Sequence, residues 1–232
     1  MAGREDFRQE YPLKRALDLG LGLIGLILTL PLWIIIVIAI ILEDGGPIFY
    51  PQERVGRWGK TFRIAKFRSL KKGADLEVKP WMTPSGKWLT RVGKLLRPTA
   101  LDELPQLLSI VYGDMSFVGP RAMPVREFEE FKLKVVGLEK RLLVRPGLTG
   151  LAQVYGRGTR NSKMKLRYDM LYIRKQGLWL DLKLVLLSVL MSLVGRWDSK
   201  DVTISRAKGR PIRKSVTGSH NEVMIDRSKA DF

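Results

Sequence analysis

The residues best suited to chemistry in this chain are two adjacent carboxylates, Asp102 and Glu103, within Arg97-Pro98-Thr99-Ala100-Leu101-Asp102-Glu103-Leu104-Pro105-Gln106. They read as the opening of a helix over Leu104 to Val111, with Thr99 as its N-cap. Consecutive helical side chains diverge by about 100°, a poor arrangement for flanking a single glycosidic bond. The pair can instead divide labour, one group attacking or binding while the other positions a divalent ion. Aspartate can act as a nucleophile toward phosphorus, giving an acyl-phosphate, and Mg²⁺ would offset charge on the phosphates. The plain alternative is two first-turn acids complementing the helix dipole.

Arginines recur in loop-like surroundings: Arg68 after a strand, Arg121 in Val118-Gly119-Pro120-Arg121, and Arg157 in Gln153-Val154-Tyr155-Gly156-Arg157. Glycine and proline beside an arginine let backbone and side chain approach a phosphate closely. Singly, each reads as a solvated surface charge; together with a membrane anchor they suggest a diphosphate held at a bilayer surface.

Composition narrows the choices. The 232 residues carry 41 Lys+Arg against 23 Asp+Glu, a net charge of +18, with no cysteine and one histidine, His220. A disulfide scaffold, a thiol nucleophile, Cys- or His-based metal clusters and a Ser-His-Asp triad are excluded. The hydrophobic fraction of 45% is core material that a disordered basic tail would lack. A basic domain first suggests nucleic acid, but there is no helix-turn-helix spacing, zinc finger or RNP-like motif. Anionic headgroups, which attract juxtamembrane Lys and Arg at about 1 kcal/mol each, account for the charge and the apolar segment together. No nucleic acid partner is expected.

From Leu19 to Leu42 run 24 uncharged residues, about 36 Å of helix against a hydrocarbon core of about 30 Å. Pro31 divides the run into halves of 12 and 11 residues, each about 17 Å long and too short to cross alone. Basic residues stand on both sides, from Arg4 to Arg15 and from Arg54 to Lys72, whereas a simple crossing wants an asymmetry. A helix that enters, bends at Pro31 and leaves by the same face satisfies both flanks; a Pro-kinked spanning helix is the alternative. Gly20, Gly22 and Gly25 spell the dinucleotide fingerprint, but they lie inside this apolar helix, with no strand before them.

The expected fold is α+β and mostly helical: a re-entrant membrane helix plus a small cytosolic catalytic domain with a short β-hairpin and interfacial helices. Ile48 to Tyr50 and Thr61 to Phe67 form the hairpin around Gly56-Arg57-Trp58-Gly59. Helices are expected from Trp88 to Leu96 (stopped by Arg97-Pro98), Val125 to Gly137, Ser162 to Arg174 and Leu178 to Val194, with 145–162 as a loop. Residues 1–12 are expected at the interface, and Trp81 and Trp88 near lipid headgroups. The uncharged run Leu184–Gly195 packs in the core or lies on the bilayer. Three parts follow: 1–45 with the membrane helix, 46–195 as the catalytic domain, and a basic polar tail over 196–232.

The ordered stretches make the chain resemble a known family. They are Lys14-Arg15-Ala16-Leu17-Asp18, Gly46-Pro47-Ile48-Phe49-Tyr50-Pro51-Gln52-Glu53-Arg54-Val55-Gly56, Lys66-Phe67-Arg68-Ser69, Leu101 to Gln106, Gly113 to Arg121, Arg145-Pro146-Gly147-Leu148-Thr149-Gly150 and Trp179-Leu180-Asp181-Leu182-Lys183. Over roughly residues 12–195 the chain is similar to the bacterial sugar transferases, the monotopic polyprenyl-phosphate phosphoglycosyl transferases. That resemblance implies transfer of a sugar phosphate from a UDP-sugar to undecaprenyl phosphate with release of UMP, as the first membrane step of a surface glycan. It implies Asp102 as nucleophile forming a covalent phosphosugar intermediate, and Glu103 helping to organise Mg²⁺, so that Asp102 and Glu103 are also the metal-side residues. It implies substrate-binding roles for Lys66, Arg68, Arg97, Arg121 and Arg157, with Asp181 as a further acidic group. It also implies a bend at Pro31, a place in the bacterial inner membrane with the catalytic domain on the cytoplasmic face, and a possible homodimer. Ala122, Gly158 and Arg174-Lys175-Gln176-Gly177 depart from the family's usual residues, which bears on sugar choice and on Arg157. The chain begins almost at the anchor and reads as a minimal catalytic version. The contrasting readings are a membrane-anchored scaffold without catalysis and a lipid phosphatase, which would release phosphate and no UMP.

Overall fold

Proline within a helix removes one backbone donor and crowds the preceding turn, yet in the computed structural model the helix runs on through it. Helix α1 spans Lys14–Asp44 with Pro31 inside. The structure describes residues 10–74, 86–156 and 162–195; the expectations for residues 1–9, Trp81, Arg157 and the 196–232 tail lie outside them. Among the described residues, α1 is the one helix long and apolar enough to cross a membrane by length and composition. Its buried residues, Lys14, Asp18, Gly22, Ile36 and Ile40, fall on one stripe, while Ile27, Leu28, Ile35 and Leu42 on the other faces are exposed. Two of the three fingerprint-like glycines have a packing role here, while Gly20 faces open space. A Cβ on Gly22 would stand 3.1 Å from Val111, and one on Gly25 3.4 Å from Leu107.

After Gly45, whose left-handed backbone ends α1, the expected hairpin forms. Strands β1 (Phe49–Val55) and β2 (Thr61–Phe67) pair antiparallel from Phe49↔Phe67 to Val55↔Thr61. Trp33 meets Phe67 edge-on at 5.2 Å between centroids, and Phe49 stacks on Phe67 at 5.5 Å, tying α1 to the hairpin.

Helix α2 covers Arg91–Thr99, and its N-cap is Thr90, whose hydroxyl accepts from Gly93 N–H. Both carboxylate oxygens of Glu43, at the end of α1, accept the next free donors, Arg91 N–H and Val92 N–H. Gly93 is there because a Cβ would meet the Ser69 carbonyl oxygen at 2.0 Å. Two expectations are corrected. The helix continues through Arg97-Pro98, and Thr99 is its last residue, donating from its hydroxyl to the Leu95 and Leu96 carbonyls. The dyad therefore does not open a helix capped by Thr99. Ala100, with φ 56°, turns the chain left-handed, and Leu101–Glu103 forms a separate 3₁₀ turn before α3 (Gln106–Tyr112).

Beyond α3, β3 (Ser116–Val118) leads to β4 (Met123–Pro124), which pairs with β1, and to α4 (Val125–Lys132). Helix α4 stops short of the expected Gly137, and a 3₁₀ segment over Leu138–Leu143 follows. The stretch expected as a loop contains β5 (Gly147–Thr149), parallel to β3, and α5 (Leu151–Tyr155). Helices α6 (Ser162–Lys175) and α7 (Leu178–Leu193) lie close to expectation. The uncharged run is packed in the core on one face only. Leu184 is buried with Val118, Val144, Val154, Tyr172 and Ile173, whereas Leu186, Val189, Leu190 and Leu193 are exposed.

Candidate active site

The dyad sits where four elements converge. The 3₁₀ turn supplies Asp102 and Glu103, β2 supplies Lys66, the loop after β3 supplies Arg121, and the last turn of α2 supplies Arg97. Lys66 Nζ lies 2.5 Å from Glu103 Oε1, and Arg121 Nη2 lies 2.7 Å from the same oxygen. Among the described residues no hydrogen bond reaches the Asp102 carboxylate, although the residue is buried.

These surroundings drive the two acids apart. Burial pushes the Asp102 carboxyl up to about 6, against the pull of Lys66, Arg97 and Arg121, and the charge on Glu103 adds to the rise. Burial acts on Glu103 in the same sense. There the charges and hydrogen bonds of Arg121 and Lys66 prevail, and its carboxyl lies well below the usual range. Lys66 is lowered by burial, with Glu103 opposing. Neighbouring acids with divergent proton affinities are the pattern of groups with distinct roles. Glu103 is a fixed anion locked by two cations; Asp102, ionised at neutral pH, has no hydrogen-bond partner among the described residues.

The donor set also suits a divalent cation of one kind. Among the described residues no group of three or more acidic or histidine side chains gathers, so a dedicated all-protein cage is not built there. Mg²⁺ usually binds through one or two carboxylates plus substrate phosphates, and Asp102 and Glu103 are the carboxylates that would serve such an ion here.

A profile of the family described as bacterial sugar transferase matches residues 9–195. The chain belongs to the bacterial sugar transferase family. It is 39% identical over 189 residues to a UDP-glucose:undecaprenyl-phosphate glucose-1-phosphate transferase of Escherichia coli K12, covering 79% of this chain and 41% of the relative. It is 34% identical over 186 residues to a UDP-N-acetylgalactosamine-undecaprenyl-phosphate N-acetylgalactosaminephosphotransferase of Aeromonas hydrophila, covering 79% and 44%. Another UDP-glucose:undecaprenyl-phosphate glucose-1-phosphate transferase, from Caulobacter vibrioides, is 38% identical over 181 residues, covering 76% and 68%. The chain thus spans less than half the length of the first two relatives.

Two residues that the family resemblance suggested for substrate are engaged elsewhere in this bacterial sugar transferase. Arg68 is buried, and its Nη2 donates to the Asp44 carboxylate at 2.7 Å, joining the end of β2 to the end of α1. Asp181, 1% exposed, lies at the start of α7 in a closed cluster with Lys14 Nζ at 2.6 Å and the hydroxyls of Tyr11 and Tyr172, each at 2.9 Å. Both of its oxygens are occupied, and among the described residues no hydrogen bond links it to the dyad. It anchors the start of α1. Arg97 donates from Nε to Ser69 Oγ at 3.0 Å while its charge acts on Asp102.

Sequence reasoning missed Arg54, Arg141 and Asp169, all buried around the Arg121 loop. A signal existed for Asp169. It falls on the stripe of α6 that carries Tyr172 and Ile173, and an acid on an apolar stripe asks for a partner.

Proposed function

We propose that this chain transfers a sugar-1-phosphate from a UDP-sugar to undecaprenyl phosphate and releases UMP, with Asp102 as nucleophile. The observation that carries the reading is the asymmetry of the dyad: an unbonded, buried, ionised Asp102 beside a Glu103 held by Lys66 and Arg121. The activities of the similar transferases from Escherichia coli and Aeromonas hydrophila support the same class of reaction. An Asp102 oxygen attacks the phosphorus that bears the sugar, the bond to the bridging oxygen of the diphosphate breaks, and UMP departs with that oxygen. A phosphate oxygen of the lipid then attacks the same phosphorus, and the Asp102 carboxylate is regenerated. Arg121 and Arg97 hold phosphate oxygens, and Lys66 keeps Glu103 in place. Mg²⁺, held by Asp102 and Glu103, supplies positive charge to the diphosphate when bound.

The test is UMP release from a panel of UDP-sugars with undecaprenyl phosphate, Mg²⁺ and detergent. At least one sugar should yield UMP, with ping-pong kinetics and isotope exchange between UMP and UDP-sugar in the absence of lipid. Phosphate release without UMP would instead mark a phosphatase, and no reaction from a folded, lipid-bound protein would mark a scaffold.

The same reading places α1 in the inner membrane as a re-entrant element with the catalytic domain on the cytoplasmic face. What supports re-entry is that both ends of α1 hold the same folded unit. Lys14 and Asp18 bind groups of β3, α6 and α7, while Glu43 and Asp44 bind α2 and Arg68. The chain has no cysteine, so single replacements report topology cleanly. Leu13→Cys and Lys72→Cys, on opposite sides of α1 in sequence, should both react with an impermeant maleimide from the cytoplasmic side. Reaction from opposite sides would show a crossing.

A further inference from the structure

Arg121 is the exposed member of an otherwise buried arrangement. Its side chain is 46% exposed and reaches Glu103 through one nitrogen, Nη2. Its own backbone carbonyl accepts a hydrogen bond from Arg141 Nη2 at 2.8 Å. The next carbonyl, that of Ala122, accepts from Arg54 Nη1 at 2.6 Å. Arg141 Nη2 also lies 3.0 Å from Asp169 Oδ2, so a single nitrogen joins α6 to the Arg121 backbone. Arg54, Arg141 and Asp169 are each more than nine-tenths buried.

Two buried guanidiniums on consecutive carbonyls are a costly way to satisfy two acceptors, because taking charge out of water is unfavourable even when paired. Arg54 shows the cost: its Nε is buried without a partner. What the arrangement achieves is a backbone fixed from two sides at the residue whose head group must stay open. The loop is also fixed from before, since a Cβ on Gly119 would meet the Arg145 carbonyl oxygen at 2.4 Å. With its backbone fixed, Arg121 can bridge Glu103 and a phosphate while losing little further freedom on binding.

We propose that Arg141, held by Asp169, and Arg54 are positioning residues that clamp the carbonyls of Arg121 and Ala122 and so aim the Arg121 guanidinium at a phosphate of the nucleotide donor. This rests on the transferase reading for the identity of the donor. A clamp acting through Arg121 has a consequence that general structural support lacks: once Arg121 is gone, loosening the clamp costs nothing more.

The experiment is a double-mutant cycle between Arg141→Lys and Arg121→Ala, followed by kcat/KM for UMP release and, independently, by calorimetric binding of UDP. Asp169→Asn and Arg54→Lys serve the same cycle, and Asp169→Asn replaces Arg141→Lys if that variant does not fold. Each single clamp variant should weaken UDP binding and kcat/KM by about tenfold, and by less than about twofold in the Arg121→Ala background. Losses that multiply in full in both backgrounds overturn the proposal, because they describe support of the fold and not of Arg121. If the wild type binds UDP with the expected coupling but releases no UMP, the clamp stands and the transferase reading fails. If the wild type neither binds UDP nor releases UMP, both fail.

Discussion

Asp102→Asn is expected to abolish UMP release and to make the protein more stable at neutral pH. The carboxyl is pushed up to about 6 by burial from an ordinary value of 3.8. Its folded-state proton affinity thus exceeds that of the unfolded chain. Below the unfolded value both states are protonated and the group costs nothing. As pH rises from about 4 to 6 the folded protein must give up a proton it holds more tightly, and above about 6 the full penalty is present. A rise of about two units corresponds to roughly 3 kcal/mol. In a chain of this size that is about 6–12 °C in melting temperature. The neutral amide removes the penalty, so the variant's advantage should be full at pH 8 and vanish near pH 4 when both are melted in Mg²⁺-free detergent solution. Equal melting temperatures at pH 8 would show that Asp102 is not held as an unfavourably buried anion. Activity in the wild type should fall as pH drops through about 6, when the nucleophile takes up its proton. The site is thus held at the expense of stability, as many functional sites are.

Lys14→Met should produce the largest loss of stability of any single change considered. Lys14 and Asp181 are each 1% exposed and 2.6 Å apart. Removing the cation leaves a buried carboxylate with only the hydroxyls of Tyr11 and Tyr172, and breaking a pair of this kind costs about 3–5 kcal/mol. That is about 6–20 °C in melting temperature. Lys14→Met combined with Asp181→Leu should recover most of the loss, since replacing a buried pair by apolar groups is often neutral. Thermal melts of the two single variants and the double variant decide it. A double variant as unstable as either single one would mean that the cluster stabilises through its shape and not through charge balance.

How far the sequence revealed this arrangement depends on the range of the interactions involved. The apolar run, the hairpin around Gly56–Gly59 and helices α6 and α7 were legible because each carries its own period or turn residues. The parallel pair β3 and β5 was not, since three residues on each strand hold too little pattern. The dyad was found as a motif but placed on the wrong element. Thr99 looks like an N-cap, and only the left-handed Ala100 separates it from the 3₁₀ turn that holds the acids. Asp181 was recognised as a conspicuous acid, yet its partner lies 167 residues away in sequence. Local reading could not join them. Arg54 and Arg141 were invisible among 41 basic residues, because nothing in the sequence separates a buried guanidinium from a solvated one.

The double cap that Glu43 places on α2 has a mechanical meaning. Its carboxylate stands one residue before the end of α1 and also accepts from the first backbone donors of the helix that ends three residues before Asp102. The two helices meet directly at this point, through the Glu43 carboxylate and the first backbone N–H groups of α2. A shift or tilt of α1 is thereby handed straight to the shelf on which Asp102 rests, so whatever α1 is embedded in becomes one of the forces that set the shelf's level.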